Sequence, residues 1–151
     1  MKRTDIIELM NELVETARDG VHGFRTCAMH ATADELRQSL EQRARAWELN
    51  VGELNNMIAE YGGTATTHGS MIGAAQRGWL RLREAVSAVN DGDLLLDGEH
   101  GEDHALARYR KAGNANDLPD AVRELINRQA DAIEAHRNEL QRQRAALHHM
   151  A

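Results

Sequence analysis

The sequence has little of what a β-sheet, a disulfide framework or a membrane protein needs. Only 3% of its 151 residues are aromatic and the single proline is Pro119, a composition that favours helices over strands. The one cysteine, Cys27, excludes an internal disulfide and a thiolate metal cage. No apolar run approaches the roughly 20 residues of a membrane span, and none follows the basic pair Lys2-Arg3. We therefore expect a cytoplasmic protein with no membrane partner.

Basic charge is also in short supply. Lys and Arg number 18 against 24 Asp and Glu, so the net charge is −6 with histidine neutral. Proteins that bind phosphate backbones carry the opposite sign, and we expect no nucleic-acid partner. A chain of this length buries about two-thirds of the surface that its unfolded form exposes, which predicts a single domain over residues 1–151.

Helical periodicity is what the sequence does contain. Apolar residues recur every three or four positions in four long segments, each of which predicts an amphipathic helix. These segments are residues 4–31, 33–61, 93–112 and 118–147. Thr32 and Glu35 have the spacing of a capping box, and Gly62-Gly63 is typical of a helix end.

A fifth apolar stripe predicts a shorter helix over 70–89. We therefore expect an all-α fold, a ferritin-like up-down four-helix bundle in which a long crossover contains this extra helix. The alternative is a single kinked third helix over 70–112. At 1.5 Å per residue that helix would be about 65 Å long and would outreach its neighbours, which favours the crossover.

Five polar residues fall on the apolar stripes, where burial without a partner is costly. They are Arg43, Glu99, Glu102, Gln129 and His136. One interpretation is a closed polar network, in which Arg43 pairs with Glu102 or Glu99 and His136 bonds to Gln129 or a carboxylate. The other makes Glu99, Glu102 and His136 ligands of iron or another divalent metal. The chain lacks the Glu-x-x-His pairs of a di-iron bundle, so such a site would be incomplete.

Three smaller features each allow two interpretations. His100 and His104 are one helical turn apart, so they either chelate a metal or lie on a solvated face. Cys27 lies at the edge of the first apolar stripe, which favours a small core residue over a nucleophile. The third feature is an aromatic and basic face that consists of Arg77, Trp79, Arg81 and Arg83. This face either binds a protein partner or its tryptophan only covers the bundle.

Short pieces in a characteristic order run along nearly the whole chain. They are Asp19-Gly20 and Gly23-Phe24, Gly62-Gly63, Gly69-Ser70 with Arg77 and Trp79, Gly101-Glu102-Asp103 with Ala105 and Tyr109, and Gln129 with His136. In these pieces the sequence resembles a family of uncharacterised bacterial four-helix-bundle proteins of the ferritin-like superfamily. The resemblance implies that fold and a soluble bacterial protein, and no reaction.

The first helix departs from this family. Similar sequences have Ala-Ala-Glu where this chain has Cys27-Ala28-Met29, and a thioether is a poor ligand for iron. We therefore expect a non-catalytic homo-oligomer, with a dimer favoured. We expect it to act through assembly or partner binding, and a role under stress is one option. The alternative is an iron-binding or di-iron-type redox protein with an atypical carboxylate and histidine site.

Overall fold

The computed structural model describes residues 1–64 and 90–150, with side chains through His148. These ranges form four α-helices, namely α1 (Arg3–His30), α2 (Asp34–Glu60), α3 (Asp91–Gly113) and α4 (Asp120–Met150). They contain no strand, so the all-α prediction is confirmed for them. None of these four helices is both long and apolar enough to cross a membrane. The helix predicted over 70–89 and the face of Arg77, Trp79, Arg81 and Arg83 lie outside the described residues.

The first two helices form an antiparallel hairpin with a tight contact in its middle. Large side chains such as Phe24 of α1 and Trp47 of α2 are buried, each at 1% exposure. Gly20 allows the two helices to approach, because a Cβ at this position would lie 2.6 Å from the Trp47 indole. The Asp19-Gly20 piece of the sequence therefore has a packing role.

The turn between α1 and α2 differs from the capping box that we expected. Ala33, not Thr32, is the N-cap of α2, and it provides no side-chain cap. The Asp91 carboxylate of α3 instead accepts hydrogen bonds from the Thr32 hydroxyl at 2.8 Å and from the N–H groups of Thr32 and Ala33 at 2.8 and 3.1 Å. The N–H groups of the N-cap residue and of the residue before it are thus satisfied from another helix.

The other helix ends follow ordinary capping chemistry. Gly62 adopts a left-handed φ of 82° just after α2, as the sequence predicts. α3 begins earlier than expected because the Asn90 side chain accepts from the Asp93 N–H at 2.9 Å and caps the helix at that point. Pro119 lies just before α4 rather than within its first turn, and its carbonyl accepts from the Arg123 N–H.

Side-chain contacts define the direction of each helix. α1 packs mainly on α2 and α3 mainly on α4, and the pairs α1 with α3 and α2 with α4 complete the ring. Thr32 meets Asp91 at the start of α2 and α3, and Arg43 meets Glu102 further along both. α2 and α3 therefore run parallel on diagonal corners, and their long side chains meet in the core.

Candidate functional site

Two donors of the core, the Arg43 guanidinium and the Trp47 indole N–H, converge on Glu102, whose side chain is 0% exposed. Its Oε2 accepts hydrogen bonds from Nε and Nη2 of Arg43 at 3.1 and 2.7 Å. Its Oε1 accepts from Nε1 of Trp47 at 2.8 Å. Both carboxylate oxygens have donors, so the group is satisfied without water or a ligand.

Arg43 is enclosed as completely as its partner, with a side chain that is 4% exposed. Its guanidinium carbon lies 5.0 Å from the Trp47 ring centroid and 5.9 Å from that of Phe24. Both distances are in the range of cation–π attraction. Helices α1, α2 and α3 therefore each contribute a side chain to the enclosure of this one charge.

Burial and pairing act on the Glu102 carboxyl in opposite directions. Burial raises its pKa above the ordinary value, while the charge and hydrogen bonds of Arg43 and the Trp47 N–H lower it. Charge-assisted hydrogen bonds are stronger than neutral ones, and they favour the ionised pair. Such a pair stabilises the fold only while both partners are present.

Gln129 belongs to a second polar chain, which leads from the core to the surface between α2 and α4. The Tyr109 hydroxyl donates to Gln129 Oε1 at 2.8 Å. Gln129 Nε2 donates to the Asn50 carbonyl at 3.3 Å and to Glu53 at 3.1 Å. Arg128 binds Glu53 at 2.6 Å. The Trp47 and Tyr109 rings, 6.1 Å apart between centroids, join this chain to the Glu102 cluster.

Glu99 is buried at 3% exposure but has a different partner from the one that we considered. Arg144, near the end of α4, binds both of its carboxylate oxygens. The Arg144 side chain is 38% exposed. Glu99 therefore lies at the rim of the core and not in the Arg43 cluster.

His136 is not a core residue, contrary to the periodicity argument. It is exposed, and its Nδ1 lies 2.7 Å from the Ala132 carbonyl. Ile133 and Leu140 hold the core positions on either side. The adjacent Arg137, which binds Asp103 at 2.8 Å, is the less exposed of the two residues. Partial burial and the positive charge of Arg43 lower the pKa of His136.

The three residues considered as metal ligands are thus arranged differently. Glu102 pairs with Arg43, Glu99 pairs with Arg144, and His136 faces solvent. Within residues 1–64 and 90–148, no group of three or more His, Cys, Asp and Glu side chains converges in a way that could hold a metal ion.

Two residues of the first helix also have defined positions. Cys27 is fully buried, as expected, and burial together with the charge of Asp97 raises its pKa to about 12. Such a thiol is a poor nucleophile. Met29 is 75% exposed. The replacement of glutamate by methionine that we inferred at this position therefore changes the surface and not the core.

Four partners in these clusters are not among the residues predicted from the sequence, namely Trp47, Tyr109, Glu53 and Arg144. The two aromatic residues were counted only as apolar, although a buried indole N–H or phenol needs a hydrogen-bond partner. Arg144 follows Leu140 by one turn on the buried stripe of α4, a signal that was present in the sequence. Glu53 carried no comparable signal.

In residues 1–64 and 90–150, the fold and the site define four packed helices with an internally paired polar core. The family model described as "Domain of unknown function (DUF2383)" matches residues 5–115. The chain belongs to this family. The matched region contains Arg43, Trp47 and Glu102 and ends before α4. A comparison with curated proteins finds no match.

Proposed function

We propose that this protein is a non-catalytic, cytoplasmic four-helix bundle of bacterial type that acts through assembly or partner binding. The observation that carries the proposal is the closed Arg43, Glu102 and Trp47 cluster, in which both carboxylate oxygens are engaged and the ion pair is buried. A reactive carboxylate has to meet a substrate or a solvent-borne reagent, and this one meets only its own protein. The cluster therefore serves stability and specificity of packing.

The ferritin-like arrangement is part of the same proposal. Its support is the parallel direction of α2 and α3, which follows from the contacts of Thr32 with Asp91 and of Arg43 with Glu102. The end of α2 and the start of α3 then lie at opposite ends of the helices. A chain segment that connects opposite ends of a bundle is the long crossover of ferritin-like folds.

The proposed assembly surface is the α1–α2 hairpin. Met29 of α1 and Leu49 of α2 are 75% and 70% exposed, and an ion pair between Arg25 and Glu48 links the same two helices. Met29 follows Arg25 by one turn of α1 and therefore lies on the same side of that helix. A surface that carries apolar groups and both signs of charge has the kinds of groups that a two-fold interface pairs across its axis. We propose a homodimer through this hairpin face.

Sedimentation equilibrium tests the proposed dimer. The wild-type chain is expected to sediment as a dimer, and Leu49→Glu combined with Met29→Glu is expected to give a folded monomer, because two carboxylates would be buried unpaired at the interface. Ala135→Glu, at an exposed position of α4, is the matched control and should leave the dimer intact. A wild-type monomer at every concentration would contradict the proposal.

The alternative of an iron-binding or redox protein has one observation in its favour. Glu99 and Glu102 are buried carboxylates one turn apart on α3, although each is bound by an arginine that iron would have to displace. Anaerobic titration of the untagged protein with Fe(II) separates the two functions. The non-catalytic proposal predicts no stoichiometric uptake. Uptake that is lost in Glu99→Ala, a variant at the rim of the core, would replace it with the redox alternative.

A further inference from the structure

The outer face of α3 carries two histidines that the polar core does not use. His100 and His104 are both exposed and lie on one continuous helix. Residues four apart on a helix are neighbours, with about 5–6 Å between their Cβ atoms. Within the described part of the chain, no hydrogen bond engages either imidazole ring. The ring nitrogens of both residues are therefore available to a ligand.

The charges around the pair favour a cation. Asp97 lies one turn before His100. Burial raises the pKa of Asp97, and the charge of His100 acts in the opposite direction, so the two side chains interact electrostatically. The nearby arginines are directed elsewhere: Arg137 binds Asp103 at 2.8 Å, and Arg108 donates to Thr16 of α1 at 3.4 Å. A positive ion bound by the two imidazoles would thus have the Asp97 carboxylate nearby. The Arg137 and Arg108 guanidinium groups are engaged by other residues.

We propose that His100 and His104 form a chelating site for a divalent transition-metal ion, with Zn²⁺ and Cu²⁺ as the chemical class. Two histidines at this spacing present their nitrogens to a single ion from one face of a helix. Imidazole is a preferred ligand of both metals. With two protein ligands and water in the other positions, the bound ion would exchange readily.

This site is distinct from the buried carboxylates of the core. Glu99 and Glu102 point inward from α3 and are paired with Arg144 and Arg43, whereas His100 and His104 lie on its solvent side. Metal binding at the histidines needs neither ion pair to break. The site also involves neither Met29 nor Leu49, so it stands or falls independently of the proposed dimer.

Calorimetric titration of the untagged protein with Zn²⁺ near neutral pH tests the proposal, and Cu²⁺ serves as a second probe. We expect one ion per chain. His100→Ala and His104→Ala should each weaken binding by on the order of a hundredfold, because one imidazole alone loses the effective concentration of the second. Alanine at exposed helical positions favours the helix, so both variants should fold, which circular dichroism checks.

The matched control is the double variant His148→Ala with His149→Ala, which removes a different pair of histidines. This variant should bind as the wild type does. Binding should also weaken when the buffer is acidified from about pH 7.5 to about pH 5.5, because protons compete with the metal for imidazole. The proposal is overturned if the wild type binds neither metal, or if binding survives the loss of His100 and His104.

Discussion

Glu102 and Glu99 lie one turn apart on α3, and both carboxylates are buried, but their surroundings differ. Glu102 pairs with Arg43, whose side chain is 4% exposed, whereas Glu99 pairs with Arg144, whose side chain is 38% exposed. When a pair of the first kind is broken, the remaining charge stays buried and uncompensated. When a pair of the second kind loses its acid, water solvates the base that is left. The exposure of the partner, and not only that of the acid, decides what each pair contributes.

The largest expected effect is the loss of either member of the enclosed pair. Glu102→Ala and Arg43→Ala should each lower the free energy of unfolding by about 3–5 kcal/mol, because each leaves a buried charge without a partner. Urea unfolding followed by circular dichroism measures this loss. Glu99→Ala is the matched variant at the rim. It should lower the free energy of unfolding by less than half as much as Glu102→Ala does.

Two outcomes would break the comparison between core and rim. Equal losses in Glu102→Ala and Glu99→Ala would show that partner exposure has no bearing on the two pairs. A loss below about 1 kcal/mol in Arg43→Ala would show that this arginine behaves as an exposed one does. The double replacement Arg43→Met with Glu102→Leu should regain much of the stability because it removes both charges together, although it leaves the buried Trp47 N–H without its acceptor.

The next effect concerns the indole that binds Glu102. Trp47→Phe keeps an aromatic ring but removes the N–H that donates to Oε1, and a hydrogen bond to a charged group contributes about 1.5–3 kcal/mol. Tyr109→Phe is the control with a neutral acceptor, Gln129, and should cost about 0.5–1.5 kcal/mol. Urea unfolding ranks the two variants, and a larger loss in Tyr109→Phe would contradict the central place of Glu102.

A smaller effect is expected where α3 caps the turn before α2. Three hydrogen bonds from Thr32 and Ala33 and the charge of Arg37 hold the pKa of Asp91 below its ordinary value, although burial acts in the other direction. Asp91→Ala should lower the free energy of unfolding by about 1 kcal/mol, as the loss of a helix cap does. The lowered pKa shows that the folded protein favours the ionised Asp91 carboxylate. Its contribution to stability should therefore be lost when acid protonates the carboxylate. An unchanged midpoint of unfolding at neutral pH would refute it.

The smallest expected effect concerns Asp19, a half-buried carboxyl group that interacts with the charge of Arg108. Burial raises the pKa of Asp19 to about 6, against the attraction of Arg108 and with a further rise from Glu15. The native state then binds this proton more tightly than the unfolded chain, so stability falls as the pH rises from about 4 to about 6. Asp19→Asn should match the wild type below this range and exceed it above, by less than about 1 kcal/mol because of solvent screening.

Thermal unfolding of the Asp19→Asn variant across that pH range measures the difference. Identical pH profiles of the variant and the wild type would show that Asp19 titrates normally. Opposite behaviour, with the variant less stable above pH 6, would show that the ionised carboxylate binds Arg108 productively. Either result would show that burial does not raise the pKa of Asp19.

Much of the fold could be predicted from local pattern. The apolar period places helices within a few residues of α1, α2, α3 and α4, and it assigns Arg43 and Glu102 to their buried faces. Helical periodicity repeats every 3.6 residues, so a single segment carries enough information to orient its own side chains. His136 shows the limit of this argument, because over two turns adjacent positions compete for one face and packing chooses between them.

The partners of the polar residues depended on tertiary structure. Arg43 and Glu102 are 59 residues apart in sequence, as are Thr32 and Asp91, and no periodicity relates residues at such a distance. Which arginine binds Glu99, which acid caps α2 and which donors reach Glu102 were all decided by the packing of the helices. Local preference shapes each helix on its own, whereas a buried charge takes the partner that the assembled core places within hydrogen-bond distance.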